Sequence, residues 1–198
     1  MNFIVEHNEF KKPLENVPMA YLQLETGVDP ITRSIYWDNE VSEMLPFFIK
    51  QRIELISQFT NDDTTPINFY LSTVGGNAES AFGVVDILEK AKMPVNIIVN
   101  AVNMSAGVII LLGATGKKIS YKNTRFMLHQ VSSASQGKLD EIETTTAEIK
   151  AIQERIYKFL VAKTKKDDIK FWKKLAGKSD KYFDANFALE LGIIDEIW

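Results

Sequence analysis

Residues 67–113 have the sequence INFYLSTVGGNAESAFGVVDILEKAKMPVNIIVNAVNMSAGVIILLG. Runs of apolar and β-branched residues predict strands over 67–71 and 95–101. Between these strands, apolar residues recur at the spacing of a helix with one buried face, at Ala81, Val84, Val85 and Leu88. Residues 105–112 are apolar on all sides, which predicts a buried helix that ends at Gly113. Strands that alternate with helices are typical of an α/β domain with buried, largely parallel strands.

The flanking sequence extends this pattern in both directions. We predict further strands over 34–37, 118–121, 125–129 and 193–194, and a helix that begins or kinks near Pro46. Asp184 is a favourable N-cap and Gly192 suits a left-handed C-terminal cap, so a last helix is predicted between them. Residues 1–33 are punctuated by proline and glycine, and we expect an irregular arm there with one short strand near residues 17–24.

The segment 138–163 has a different pattern. Its apolar residues form a narrow stripe, with Ile142, Ile149 and Ile156 seven apart and Ile152, Phe159 and Leu160 beside them. This spacing predicts one long amphipathic helix with charged flanks. A narrow stripe favours packing against another helix rather than against a broad sheet.

Composition excludes several classes of protein. The chain has 198 residues and a formal net charge of -3, which indicates one domain and no electrostatic footprint for nucleic acid. The chain has no cysteine, which excludes disulfides, thiolate metal sites and a cysteine nucleophile. With only His7 and His129, a multi-histidine metal site is disfavoured. The N-terminus does not resemble a signal peptide and no apolar run is long enough to cross a bilayer, so we expect a soluble, cytoplasmic protein.

Ser105 is the strongest candidate nucleophile. It follows a predicted strand and opens an apolar helix, so its hydroxyl is expected at a corner beside free backbone N–H groups. The string Asn103-Met104-Ser105-Ala106-Gly107 is similar to the G-x-S-x-G nucleophile elbow but lacks the first glycine. A plain helix N-cap is the structural alternative, since serine is common there.

Three other features could contribute to a site. His129 ends an apolar strand, where it is either a general base or a satisfied structural residue, whereas His7 lies in the arm. Gly75-Gly76 lies between a strand and a helix and could turn backbone N–H groups toward a bound group. A phosphate site is the alternative for this turn, although no G-x-G-x-x-G surrounds it. Asp180 lies in a polar segment, and by itself indicates no more than a solvated loop.

Four blocks together point to one family. Residues 67–76 (INFYLSTVGG) are similar to a strand ending in S-P-G-G, and 103–107 (NMSAG) to A-A-S-M-G. Residues 127–130 (MLHQ) are similar to M-I-H-Q, and 188–195 (ALELGIID) to A-x-E-x-G-L-I-D. These blocks resemble ClpP, the proteolytic subunit of the ATP-dependent Clp proteases, and the resemblance covers about residues 34–197.

The resemblance implies a fold and an activity. It implies a ClpP/crotonase-type fold, with a compact α/β head over 34–198 and a protruding helical handle over about 138–163. By this resemblance the chain is a serine endopeptidase in which Ser105 is the nucleophile, His129 the base and Asp180 the residue that orients it. The backbone N–H groups of Gly76 and Ala106 would form the oxyanion hole.

The resemblance also implies partners. Family members form heptameric rings, usually two stacked into a tetradecamer, and an AAA+ unfoldase feeds unfolded polypeptides into the chamber. Residues 1–33 would correspond to axial loops. No cofactor or metal is implied for this chain, because the partner ATPase uses the ATP. Neither nucleic acid nor a membrane is an expected partner.

The chain departs from the family pattern at several positions. Thr73-Val74 replace serine and proline, Val131 replaces a proline, and Ser132-Ser133 replace two glycines. Ser179 replaces an arginine that helps couple the rings, and Lys181 stands where arginine is usual. The alternatives are an inactive ring component, a crotonase-type acyl-CoA enzyme, a membrane signal-peptide peptidase and a viral capsid-maturation protease.

Overall fold

One mixed sheet organises the molecule. The computed structural model describes residues 19–177 and 179–198. The strands are β1 (Val28–Asp29), β2 (Ser34–Asp38), β3 (Ile67–Thr73), β4 (Val95–Met104), β5 (Lys118–Ser120), β6 (Arg125–Leu128), β7 (Lys181–Phe183) and β8 (Glu196–Ile197). The helices are α1 (Met19–Thr26), α2 (Leu45–Gln58), α3 (Ala78–Lys90), α4 (Ala106–Leu112), α5 (Leu139–Lys163), α6 (Ile169–Leu175) and α7 (Ala185–Leu191).

The strand order is β1-β2-β3-β4-β5-β8, and β6 branches from β4 to pair with β7. The pairs from β2 to β5, the pair β5–β8 and the pair β4–β6 are parallel, whereas β1–β2 and β6–β7 are antiparallel. This arrangement confirms the predicted α/β class with largely parallel strands.

Strand β4 changes partner along its length. Its first half pairs with β5 through Ile97–Val99, and its second half pairs with β6 through Val102–Met104. Between the two halves Ala101 has a φ of 51°, in the left-handed region that non-glycine residues rarely adopt. The irregularity turns the end of β4 out of one strand ladder and into another, next to Ser105.

The core lies between the sheet and its helices. Helix α4 is buried at every position, as its uninterrupted apolar sequence predicted, and α3 packs against it. Helix α2 begins at Leu45 with Pro46 in its first turn, where the missing proline N–H has no intrahelical partner to lose. The predicted caps of α7 are confirmed, because Asp184 accepts from the Phe187 N–H and Gly192 has a φ of 78°.

The long helix α5 has the predicted extent, and it packs against α4 and α6. Only its C-terminal half reaches the core, through Tyr157 and Leu160. The preceding turns have no fully buried residue, so this part of α5 has the exposure expected of a handle. No helix in the described part of the chain is long and apolar enough to span a membrane.

Two predictions about the ends of the chain were wrong. The apolar cluster near residues 17–24 was predicted as a strand, yet Met19–Thr26 is helix α1, because its sequence MAYLQLET holds good helix formers and no β-branched residue before Thr26. The last strand is Glu196–Ile197 rather than 193–194. The Ile193 N–H instead donates to the Ala188 carbonyl and completes the helix cap. Residues 1–18, including His7 and most of the predicted axial loop, lie outside the described residues.

Candidate active site

Ser105 and His129 are in direct contact. The Ser105 Oγ lies 2.7 Å from the His129 Nε2. The parallel register that pairs Met104 with Met127 brings them together, since Ser105 directly follows β4 and His129 directly follows β6. A further hydrogen bond from the Ser105 N–H to the Met127 carbonyl, 2.8 Å long, fixes this register at the site itself.

Ser105 occupies a strained corner. Its φ of 52° and ψ of -119° lie outside the regions that a non-glycine residue ordinarily adopts. Such strain costs about 1–3 kcal/mol and is concentrated at functional sites. The Ser105 side chain makes no capping hydrogen bond to α4, so the interpretation of Ser105 as a plain N-cap is wrong. The corner instead directs the hydroxyl toward His129.

Asp180 lies on the other side of the imidazole. Strand β7 pairs antiparallel with β6 so that Lys181 is opposite Leu128, which brings the preceding Asp180 beside His129. The Asp180 Oδ1 is 3.6 Å from the His129 Nδ1, longer than a hydrogen bond. The Asp180 side chain is 51% exposed. Sequence reasoning missed β7, whose three residues show no clear alternation.

The Gly75-Gly76 turn lies against the Ser105 corner. Gly75 and Gly76 have φ values of 104° and 143°, which side chains would disfavour. A Cβ atom added to Gly75 would lie 2.7 Å from the Ser105 Cβ. The two turns are therefore in contact, and glycine is needed at position 75 for this approach.

Two backbone N–H groups near Ser105 take no part in the hydrogen bonds of the bridge or helix beside them. In the bridge between Val41 and Gly76, the Val41 N–H donates to Gly75 and the Asn77 N–H donates to Val41. The Gly76 N–H therefore points to the opposite side of the chain, as the parallel pattern requires. Ala106 is the first residue of α4, so its N–H has no partner within the helix.

A cavity of about 250 Å³ opens beside Ser105 and His129. Most of its walls are apolar, and they come from α4, α5, the last residue of β6 and the residues after it: Val108, Ile109, Leu128, Val131, Ile149, Ile152, Ile156 and Leu160. Sequence reasoning assigned the isoleucines of α5 to helix packing. The structure shows that Ile149, Ile152 and Ile156 line this cavity between α5 and α4. No sequence signal separates these two roles, because both require an apolar stripe.

One ion pair crosses the rim of this cavity. The Arg155 Nη1 of α5 lies 3.2 Å from the Glu79 Oε2 of α3, and Glu79 also lines the cavity. Arg155 additionally covers the ring of Phe82, with its Cζ 3.8 Å from the ring centroid.

Among the described residues, no group of three or more histidine, aspartate or glutamate side chains could hold a metal ion.

Comparisons with known proteins agree on one family. Residues 32–198 match the family model described as Clp protease. The chain is 30% identical over 200 aligned positions to ATP-dependent Clp protease proteolytic subunit 2 of Treponema denticola, covering 100% of this chain and 95% of that one. It is 28% identical over 137 positions to an ATP-dependent Clp protease proteolytic subunit of Bacteroides thetaiotaomicron, covering 69% of this chain and 61% of that protein. The solved structure of a ClpP1 point mutant from Listeria monocytogenes matches with a TM-score of 0.75 and 24% identity, over 89% of this chain and 95% of that one.

Proposed function

Because the chain belongs to the Clp protease family, we propose that it hydrolyses peptide bonds as a serine-type endopeptidase, with Ser105 as nucleophile and His129 as base. The observation that carries the proposal is the 2.7 Å contact between the Ser105 Oγ and the His129 Nε2, made at a strained strand-to-helix corner. A nucleophile within hydrogen-bond reach of its base is the geometry that covalent catalysis requires.

The chemistry follows from these atoms. The Ser105 Oγ attacks the carbonyl carbon of the substrate as its proton moves to the His129 Nε2. The imidazolium then returns that proton to the leaving amine while the C–N bond breaks, leaving an ester on Ser105. Water, deprotonated by the same imidazole, hydrolyses the ester and restores the hydroxyl.

The N–H groups of Gly76 and Ala106 are the proposed oxyanion hole. The Gly76 N–H points away from the bridge to Val41, and the Ala106 N–H has no partner within α4. Both residues line the cavity beside Ser105. Backbone donors need no reorganisation when the oxyanion forms, and each such donor is worth about 3–4 kcal/mol of transition-state stabilisation.

Asp180 is the proposed third member of the triad. Its carboxylate would hold the His129 Nδ1–H and stabilise the imidazolium. The present separation of 3.6 Å must shorten by about 0.8 Å to form a charge-assisted hydrogen bond of ordinary length. The resting triad therefore consists of a formed Ser105–His129 contact and an open His129–Asp180 contact.

The cavity is the proposed binding site for an apolar substrate side chain next to the scissile bond. Its walls are mostly aliphatic, and its volume of about 250 Å³ accommodates a leucine, methionine or phenylalanine side chain. Burial of such a side chain is worth about 1.5–3 kcal/mol. We expect cleavage after medium-sized or large apolar residues.

We propose that this chain forms part of the proteolytic chamber of a Clp protease. The proposed assembly is two stacked heptameric rings in the cytoplasm, served by an AAA+ unfoldase, with no cofactor bound by this chain. The name of the Treponema denticola relative, an ATP-dependent proteolytic subunit, supports this assignment. The exposed first turns of α5 offer a surface for contact between rings.

A fluorophosphonate probe combined with native mass measurement tests the function. The unmutated protein should be labelled once per chain in a ring-sized assembly, and Ser105→Ala should assemble but remain unlabelled. Ser57→Ala is the matched control, because this exposed serine of α2 lies outside the cavity, and the variant should be labelled normally. An assembled but unlabelled wild-type protein would favour the inactive ring component instead.

A further inference from the structure

The connection between β6 and α5 forms one wall of the cavity. Residues 129–137 contain no helix or strand, and Val131, Ser132 and Ser133 line the cavity beside Ser105. One end of this connection is held by the contact of His129 with Ser105. The other end is held at the start of α5, where the Lys138 N–H donates to the Glu141 carboxylate.

The middle of the connection is bound by a side chain of α5. The Val131 N–H donates to the Gln153 Oε1 over 2.7 Å, between residues 22 positions apart. Gln153 follows Ile152 directly, and Ile149, Ile152 and Ile156 form the opposite wall. One hydrogen bond therefore ties the two walls of the same cavity together.

The other half of the Gln153 amide argues that this bond is the reason for the residue. The Gln153 Nε2 is buried and has no hydrogen-bond partner among the described residues. A buried unpaired donor is unfavourable, and a leucine of similar size would remove it. Packing alone therefore does not explain glutamine at this position, whereas the acceptor oxygen does.

We propose that Gln153 is a positioning residue that sets the wall formed by residues 131–133 and thereby the affinity of the cavity for an apolar side chain. This inference rests on the proposed function only in taking the cavity as the substrate site. Without the bond, the wall samples several conformations, and the apparent affinity falls by the fraction that remains competent. Ser105, His129 and the proposed oxyanion donors are placed by other elements, so the chemical step is unaffected.

The first measurement detects the bond itself and needs no activity. Hydrogen exchange of the peptide covering residues 130–137 should be at least about tenfold faster at Val131 in Gln153→Leu than in the unmutated protein. Lys150→Leu is the matched control, because it makes the same kind of change one turn earlier on the exposed side of α5. Equal exchange in all three proteins would overturn the proposal.

The second measurement is peptide affinity in a Ser105→Ala background, where no turnover occurs. Anisotropy of a labelled peptide with a central leucine should show Kd raised about three- to tenfold by Gln153→Leu, the loss expected of one hydrogen bond. Val131→Pro removes the donor and should have a similar effect, and the double variant should bind no more weakly than either single variant. Gln153→Glu keeps an acceptor oxygen and should restore most of the affinity.

The kinetic arm separates this proposal from the proposed function. In the protein that retains Ser105, Gln153→Leu should raise KM while kcat changes less than about twofold. A fall in kcat with KM unchanged, or unchanged Kd beside faster exchange, would overturn the positioning role and leave the peptidase function standing. Absence of probe labelling in the unmutated protein would overturn the function, while exchange and peptide binding would still decide the role of Gln153.

Discussion

His129 and Asp180 are adjacent but are not hydrogen-bonded: the imidazole Nδ1 and the carboxylate Oδ1 lie 3.6 Å apart. At another edge of the same ring, the His129 Nε2 is only 2.7 Å from the Ser105 Oγ. The difference follows from the elements that carry the residues. Ser105 and His129 follow paired strands that are mostly buried, whereas Asp180 precedes the short edge strand β7 and is half exposed. In the proposed triad, this second contact would have to shorten to become a hydrogen bond.

Asp180→Asn should lower kcat strongly, on the order of 10³-fold or more, because an amide would hold the imidazole in the wrong tautomer. Steady-state hydrolysis of a short fluorogenic peptide measures this. Asp167→Asn, an exposed carboxylate outside the site, is the control and should be unaffected. Near-normal turnover of Asp180→Asn would mean that another group, or none, orients His129.

Gly75→Ala should abolish labelling of Ser105 by the probe. The new Cβ would lie 2.7 Å from the Ser105 Cβ, and the alanine would have to adopt a φ of 104°. Either the Ser105 corner or the Gly75-Gly76 turn must therefore move. Gly83→Ala in α3 is the matched control, since its Cβ would meet only the Pro46 side chain, with the Cγ at 3.1 Å and the Cβ at 3.5 Å. If Gly75→Ala were labelled at the normal rate, the close approach of the two turns would not matter for reactivity.

Degradation of folded proteins should require an AAA+ unfoldase and ATP, whereas short peptides should be cleaved slowly by this protein alone. A sealed chamber with narrow pores would impose this difference, because only an unfolded chain can enter. A stable folded substrate and a short peptide, each assayed with and without ATP and unfoldase, provide the measurement. Rapid ATP-independent degradation of the folded substrate would indicate an open protease.

The ring–ring contact should be weak, and substitutions in α5 should strengthen it. The Thr144 and Thr145 hydroxyls donate to the carbonyls four residues earlier, at Asp140 and Glu141, a bond that tends to bend helices. Each threonine also costs up to about 0.7 kcal/mol of helix propensity relative to alanine. Thr144→Ala with Thr145→Ala should therefore shift single rings toward double rings in sedimentation velocity.

Two further variants accompany this experiment. Ser179→Arg should act in the same direction by restoring a guanidinium at the proposed boundary, and Ala147→Thr should act in the opposite direction. A double ring in the unmutated protein that persists through dilution and moderate salt would contradict the prediction.

Acid should reduce the contribution that Asp62, in the loop after α2, makes to the stability of the protein. The Thr64 hydroxyl, followed by hydrogen bonds from Thr65, holds the pKa of Asp62 well below its usual range. A depressed pKa in the folded state contributes stability above the unfolded value of about 3.9, and that contribution is lost as pH falls through the folded pKa. Asp62→Asn should therefore lower the Tm at pH 7, and its difference from the unmutated protein should shrink progressively below about pH 4.

Asp63→Asn controls for charge in this loop. Asp63 is adjacent to Asp62, and Asp62 alone of the two pairs with Arg33, at 3.2 Å, in the described interactions. Asp63→Asn should leave the Tm within about one degree of the unmutated protein, both at pH 7 and below about pH 4, as expected for a surface change away from such contacts. A Tm deficit of Asp62→Asn that stays constant with pH would show that charge is not the cause.

Local sequence determined most of the elements of this protein and two of its candidate site residues. Apolar patterning was sufficient for four elements: a periodic stripe predicted α3 and α5, and a continuous apolar run predicted β3 and α4. The strand-to-helix position of Ser105 and the strand-end position of His129 were predicted in the same way. Asp180 required the family resemblance, since a carboxylate in a polar segment has no distinguishing local pattern.

Tertiary structure alone decided how these parts meet. The change of partner along β4, the pairing of β7 with β6 and the two unequal distances at His129 depend on strand registers between residues far apart in the chain. The apolar stripe of α5 both packs against neighbouring helices and lines the cavity. This second role, and the bond from Val131 to Gln153, likewise arise only when the walls of the cavity come together. Periodicity specifies which face of an element is buried, but the long-range packing of several elements specifies what that face contacts.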